Sequence, residues 1–310
     1  MTIVVAGATG LAGSAIVRAY EKAGKEVIGI NRSVCDLLDR EATIAFLKKA
    51  KPAIVVDAAA KVGGIGANNA FPVEFLADNV RIQSNLMEAA HEAEVQKFVF
   101  LGSSCIYPRD CAQPIKEEFL MTGPLESTNS AYAIAKIAGI ELVNSYRKEF
   151  GARWISLMPT NLYGKRDNFN LDTAHVLPAL IRRFVDAAET ETREVTLWGS
   201  GSPRREFLHV EDLARAILLT SSNYDSTMHL NIGTGKDLTI KELALMIAKL
   251  AGFEGQIIWD TSRPNGTPQK VLDVSKIKAL GWEPTITLDE GIASTISWYK
   301  EASARGEVRK

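Results

Sequence analysis

The strongest constraint on this chain lies at its start, where an apolar run at residues 3–6 passes directly into Gly7-Ala8-Thr9-Gly10-Leu11-Ala12-Gly13 and a helical spacing of apolar residues follows. A strand feeding a glycine-spaced loop at the mouth of a helix brings backbone N–H groups against a pyrophosphate, whose charge the helix N-terminus favours. The glycines permit the tight turn and the close approach. Three glycines in seven residues also occur in ordinary strand-to-helix turns; the order of first strand, loop and helix selects the phosphate reading.

The following chain continues the pattern. Runs rich in Val and Ile at residues 27–30, 53–58, 98–101 and 154–158 alternate with helical spacing over 10–23, 41–50, 73–94 and 131–150. Such alternation predicts βαβ units and a doubly wound parallel sheet, an α/β fold of the Rossmann type. After Gly164 the regularity fades into a polar stretch at 165–173, a helix near 176–188 and a loop at 199–205. Residues 207–220 and 229–232 read as one more helix and strand returning to the sheet. With 310 residues exceeding the usual reach of one core, we expect a dinucleotide-binding domain at 1–164 and 207–235. A smaller C-terminal substrate lobe takes 165–206 and 236–310.

Composition excludes several classes. The 36 basic and 37 acidic residues leave a net charge of −1, which offers no broad basic field for nucleic acid. Cys35, Cys105 and Cys111 are odd in number and lack metal-ligand spacing, so neither a disulfide framework nor a metal site is expected, and a reducing, cytoplasmic setting fits. No window approaches the ~20 apolar residues of a membrane span, and residues 3–6 read as a strand, not as a signal peptide.

The second strand ends in Asn31-Arg32, where NAD-binding folds usually carry a carboxylate for the ribose 2′-OH. A guanidinium there suits a 2′-phosphate, hence NADP(H), although Arg32 could also be a solvated loop arginine.

Ser103, Ser104 and Tyr107 follow the fourth strand at its carboxyl end, where open α/β sheets bind ligands. Tyr132 and Lys136 stand one helical turn apart, which puts phenol and ammonium on one face. A ketone that accepts hydride at carbon needs a proton at oxygen. Tyr132 is the expected acid, with Lys136 lowering its pKa and holding the nicotinamide ribose, and Ser103 bonding the substrate oxygen. Such a Tyr/Lys spacing is common by chance; its order after the glycine loop and Ser103 singles it out.

The sharpest runs are Lys61-Val-Gly-Gly-Ile-Gly-Ala-Asn68, Leu101-Gly-Ser-Ser-Cys-Ile-Tyr-Pro108, Pro159-Thr-Asn-Leu-Tyr-Gly164, His175-Val-Leu-Pro-Ala-Leu-Ile-Arg-Arg183 and Trp198-Gly-Ser-Gly-Ser-Pro-Arg-Arg-Glu-Phe-Leu-His209. In these the chain resembles, over nearly its whole length, the extended short-chain dehydrogenase/reductases, and among them the 3,5-epimerase/4-reductases of GDP-4-keto-6-deoxy-D-mannose. The resemblance implies reduction by Ser103, Tyr132 and Lys136, and epimerisation by Cys105 and His175. It implies NADP(H) contacts from Gly7, Ala8, Thr9, Gly10, Leu11, Ala12, Gly13, Arg32, Leu101, Gly102, Ser103, Ser104, Lys136, Pro159, Thr160, Asn161, Leu162 and His175.

Arg183, Trp198, Arg205 and Lys270 are implied at the GDP-sugar; a diphosphate independently wants guanidinium and ammonium groups, and an indole offers a stacking face. Two positions depart from the pattern: Thr9 stands where some relatives carry an arginine near the 2′-phosphate, and Asn265 where some carry an aspartate facing the nucleotide sugar. The resemblance also implies a homodimer through the helices at 73–94 and 131–150, with Ala131, Ala135 and Ala138 as small packing residues. Competing expectations are an epimerase/reductase for a related GDP-4-keto heptose or 3,6-dideoxyhexose, and a regulator that keeps the dinucleotide fold without its chemistry.

Overall fold

The structure is a computed structural model that describes residues 1–262 and 265–309. It opens with β1 (Thr2–Ala6), α1 (Leu11–Lys22), β2 (Glu26–Ile30), α2 (Arg40–Ala50), β3 (Ile54–Asp57), α3 (Ile65–Ala70), α4 (Pro72–Glu92) and β4 (Lys97–Leu101). There follow α5 (Ser130–Phe150), β5 (Ile155–Pro159), β6 (Asn161–Tyr163), α6 (Val176–Glu189), β7 (Glu194–Trp198), β8 (Arg204–His209), α7 (Val210–Asn223) and β9 (Leu230–Ile232). The chain ends with β10 (Asp237–Thr239), α8 (Ile240–Ala251), β11 (Gln256–Asp260), β12 (Gln269–Lys270), α9 (Ser275–Ala279) and α10 (Leu288–Ala304).

Six strands form a parallel sheet in the order β2-β1-β3-β4-β5-β9. The inner strands are apolar along nearly their whole length because helices cover both faces. The order reverses between β1 and β3, and at such a switch point the loops leaving the carboxyl ends diverge and open a crevice. The glycine loop leaves β1 at that point.

Residues from all six strands and from α1, α4, α5 and α7 form one hydrophobic core. A second core gathers Leu177, Ile181 and Phe184 of α6, Leu243 and Ile247 of α8, and Ile292, Ile296 and Tyr299 of α10. Leu272, Val274, Ile277 and Trp282 pack into the first core although they lie late in the chain. Each fully buried side chain of this size contributes roughly 1.5–3 kcal/mol. Helices α8 and α10 each start on a reciprocal capping box, Thr239 with Glu242 and Thr287 with Glu290.

The structure corrects one expected element. Residues 204–209, divided in the sequence reading between a loop and a helix, form β8, which pairs with β6, β10 and β12. Helix α7 begins only at Val210, where the His209 Nδ1 accepts from the Glu211 N–H and Glu211 and Asp212 load the first turn with negative charge. The two- and three-residue partner strands carry no periodicity of their own. Strands β7 and β11 form a further parallel pair. Among the described residues no helix is long and apolar enough to cross a membrane.

Candidate active site

The loop from β1 to α1 is shaped by its glycines. Gly7 has φ +74, and a Cβ there would stand 2.6 Å from the Ala58 carbonyl oxygen; at Gly13 a Cβ would stand 2.1 Å from the Gly7 oxygen. Gly10 caps α1 without a side chain, so the N–H groups of the first turn point out of the loop unobstructed by a capping group. This cradle fits a dinucleotide pyrophosphate.

Arg32 is exposed one residue beyond Asn31, whose Oδ1 accepts from the Ser33 N–H, the Ser33 hydroxyl and the Val34 N–H and so turns the chain. The two nearby carboxylates are engaged in local turns: Asp36 Oδ1 accepts from the Leu38 N–H, and Asp39 caps α2 through the Ala42 N–H. The charged group presented at the end of β2 is therefore a cation.

Beyond β4, Ser103 caps a single 3-10 turn (Ser104–Ile106), its Oγ accepting from the Cys105 N–H at 3.2 Å. Tyr132 and Lys136 lie on α5. Lys136 is buried; its Nζ donates to the Leu101 carbonyl at 2.9 Å and sits 4.7 Å from the centroid of the Phe100 ring. Gly139, one turn on, admits that ring close to the helix.

Burial pushes the Tyr132 phenol well above its ordinary value; the Cys105 and Asp57 charges add to this, and the neighbouring Ser103 hydroxyl offsets part of it. This differs from the sequence expectation of a phenol lowered by Lys136. The ammonium is committed to Leu101 and Phe100, and burial dominates. Burial also lowers Lys136, opposed by the charge of Asp57. At neutral pH Tyr132 holds its proton, which suits a donor.

Cys105 is half-buried, with Asn129 Nδ2 at 3.4 Å and Lys270 Nζ at 4.0 Å from its sulfur. Arg205 is near enough for the Cys105 and Glu126 charges to raise its pKa against a larger lowering by burial. Lys270 and Arg205 are register partners on β12 and β8, so sheet pairing brings together two cations 65 positions apart in sequence on the side of the thiol.

His175 is the exposed N-cap residue of α6, and desolvation by the protein around its ring lowers its pKa. Its cationic form is thus scarcer at neutrality than an untuned imidazole provides. The Gly64 N–H donates to the Thr173 carbonyl, tying the segment before His175 to the loop that follows β3. Among the described residues no hydrogen bond joins His175 to Cys105 or Tyr132.

Thr160 Oγ1 and Asn161 Nδ2 both donate to the Glu206 carbonyl, holding the turn after β5 against β8. Arg183 lies half-buried on α6, and Trp198 ends β7 with 66% of its surface exposed. Asn265 Oδ1 accepts from the Ser200 N–H and hydroxyl, so its carbonyl end holds the loop after β7.

Sequence reasoning missed Asn129 at Cys105 and Asp57 at the end of β3. The first carries a visible signal, since it stands about one turn before Tyr132 at the head of the same helix. The second is an acid closing an otherwise apolar strand.

With this geometry in view, residues 3–233 match the family model described as the NAD dependent epimerase/dehydratase family. GDP-L-fucose synthase 1 of Arabidopsis thaliana is 49% identical over 298 residues, covering 96% of this chain and 92% of that protein. Among solved structures, a GDP-6-OMe-4-keto-L-xylo-heptose reductase from C. jejuni superposes with a TM-score of 0.92 at 34% identity, covering 97% of each chain. A GDP-L-fucose synthetase from Naegleria fowleri bound to NADP superposes with a TM-score of 0.91 at 30% identity, covering 100% of this chain and 96% of that one.

Proposed function

The chain belongs to the NAD dependent epimerase/dehydratase family, and we propose that within it this chain carries out the GDP-L-fucose synthase reaction. It inverts C3 and C5 of GDP-4-keto-6-deoxy-D-mannose and then reduces the C4 ketone with NADPH. The observation that carries this reading is the placement of Cys105 on the same strand-end turn as Ser103, beside Tyr132. C3 and C5 both flank the C4 ketone, so removal of either proton gives an enolate whose charge rests on the oxygen at C4. One set of donors at that oxygen serves both half-reactions.

In this reading Cys105 is the base for epimerisation and His175 the acid that returns a proton to the opposite face. Ser103 and Tyr132 hold the C4 oxygen, and Tyr132 gives it a proton during reduction. NADPH, when bound, supplies the hydride at C4. The loop 7–13 and the turns 101–104 and 159–162 hold the dinucleotide, with Lys136 at its ribose, Arg32 at its 2′-phosphate and His175 beside it. Arg183, Arg205 and Lys270 hold the diphosphate, Trp198 offers the stacking face, and Asn265 borders the nucleotide. Residues 1–164 and 207–235 serve the cofactor, and 165–206 and 236–310 the sugar nucleotide, apart from 272–282, which pack with the cofactor domain.

Purified protein mixed with NADPH and GDP-4-keto-6-deoxymannose tests the activity directly: the NADPH absorbance falls. The likeness to the heptose reductase makes a GDP-4-keto heptose the comparison substrate. No oxidation with the hexose, or faster turnover of the heptose, overturns the assignment.

Arg32→Ala is expected to reduce kcat/KM for NADPH by about 10- to 100-fold, the worth of one charge-assisted hydrogen bond, with little change for NADH. Equal losses with both cofactors contradict the placement of Arg32 at the 2′-phosphate.

The reading includes a homodimer through α4 and α5. Ala138 is exposed and Ala131 half-buried on α5, whereas Ala135 packs inside the subunit, its carbonyl accepting from Gln83 Nε2. Light scattering at micromolar concentration is expected to give twice the chain mass; a monomer contradicts the pairing.

A further inference from the structure

Asp57 closes β3 and is fully buried. Its Oδ1 accepts from the Ala59 N–H at 3.1 Å, while Oδ2, equally buried, has no hydrogen-bond partner among the described residues. A carboxylate in such a place costs stability unless a charge or hydrogen bonds offset its burial.

Sheet register shows where that charge acts. Asp57 is the partner of Phe100 on β4 and of Ala6 on β1, and in-register neighbours of a parallel pair point to the same face. Phe100 meets α5 on that face: Gly139 makes room for its ring, and Lys136 Nζ lies 4.7 Å from the ring centroid while donating to Leu101. Asp57 therefore sits one strand away from the buried ammonium, beneath the helix that carries the proton donor.

The other groups packed around this place are neutral or already assigned. The buried polar residues of α4 are Asn79 and Gln83; α5 supplies Tyr132 and Lys136; the turn after β4 supplies Ser103 and Cys105; β1 supplies Ala6. Among the described residues, the charge that acts on Lys136 is that of Asp57.

We propose that Asp57 is a positioning residue for the reduction, the buried counter-ion of the Lys136 ammonium beneath the proton donor. The inference rests on the reading of Tyr132 and Lys136 as the donor pair. Burial pushes the Asp57 carboxyl up to about 6, against the opposing pull of Lys136 and the Ala59 N–H, so above that pH it is an anion. Its charge raises both Lys136 and Tyr132. Removing the charge lets Lys136 lose its proton at lower pH, which moves the alkaline limb of the reduction downward. Below about 6 the wild type itself gains the Asp57 proton and converges on the uncharged variant.

Asp57→Asn keeps the shape and the acceptor for the Ala59 N–H, and Asp57→Ser is a second uncharged variant with a smaller side chain. The experiment measures kcat for ketone reduction against pH in the wild type and both variants, with Tm and NADPH affinity at pH 7. The expected result is an alkaline limb displaced downward by about one unit, so that the variants are roughly tenfold slower at the alkaline end and nearly equal to wild type at pH 7. Superimposable pH profiles, or a loss that is the same at every pH and accompanied by a lower Tm, overturn the proposal in favour of a purely structural carboxylate. Tyr132→Phe, run alongside, separates the two levels. If it keeps its turnover, the donor assignment and this inference fall together; if it is inactive and the limb of Asp57→Asn is unmoved, only the role of Asp57 falls.

Discussion

Tyr132→Phe is expected to cut turnover by about 10²- to 10⁴-fold while leaving NADPH affinity nearly unchanged. The substitution removes one hydroxyl and keeps the ring, including its edge-on packing against Phe75 at a centroid distance of 6.4 Å. Lys136 stays in place because its hydrogen bond goes to the Leu101 carbonyl and not to the phenol oxygen. What disappears is the proton that must reach the C4 oxygen as hydride reaches C4. Ser103 alone can hold that oxygen, but an aliphatic hydroxyl is intrinsically a weaker acid than a phenol. Single-turnover kinetics with a fluorescence titration of NADPH separate the two effects. Retention of more than about a tenth of wild-type turnover moves the acid to another residue.

Cys105→Ser is expected to slow solvent deuterium uptake at C3 and C5 by at least ~10²-fold, measured with substrate held in D₂O in the presence of oxidised cofactor. A thiol gives up its proton far more readily than a hydroxyl, and here Asn129 donates to the sulfur and Lys270 stands 4.0 Å away. The same variant should still reduce a ketone supplied already epimerised, because Ser103, Tyr132 and Lys136 remain. Unchanged exchange excludes Cys105 as the base; loss of both half-reactions excludes the division of roles between the sulfur and the phenol.

Much of the six-stranded sheet and its helices was legible in the chain because its signals are local. Residues 3–6 are apolar, the first three of them β-branched, the glycines follow at once, and the helices at 10–23 and 131–150 declare themselves by spacing; each lies within one or two residues of its place in the structure. The short strands beyond residue 164 resisted because their order is relational. Strand β12 is two residues long and exists only through its pairing with β8, and residues 204–209 become a strand because three short partners meet them there.

The candidate site divides in the same way. Ser103, Tyr132 and Lys136 could be reasoned from chemistry and helical spacing, whereas His175, Arg183, Trp198, Arg205 and Lys270 were singled out by the resemblance of their runs to a family, with side-chain chemistry as support for the last four. Asp57 was invisible for a third reason: its significance comes from facing the same side of the sheet as Phe100, and register is a property of two strands. The sign of the Tyr132 shift was misjudged because helical spacing gives adjacency to Lys136 but not the depth of burial that outweighs it.

The central claim is that one pocket inverts two carbons and reduces the ketone between them. Its most direct test is to let the protein act on GDP-4-keto-6-deoxymannose with NADPH in D₂O and to read the product by NMR. The expected product is GDP-L-fucose carrying deuterium at C3 and C5, drawn from solvent, and protium at C4, delivered by the cofactor. A reduced sugar that keeps the starting configuration and protium at C3 and C5 contradicts it, since the pocket would then be a reductase alone and Cys105 and His175 would have no part in the chemistry.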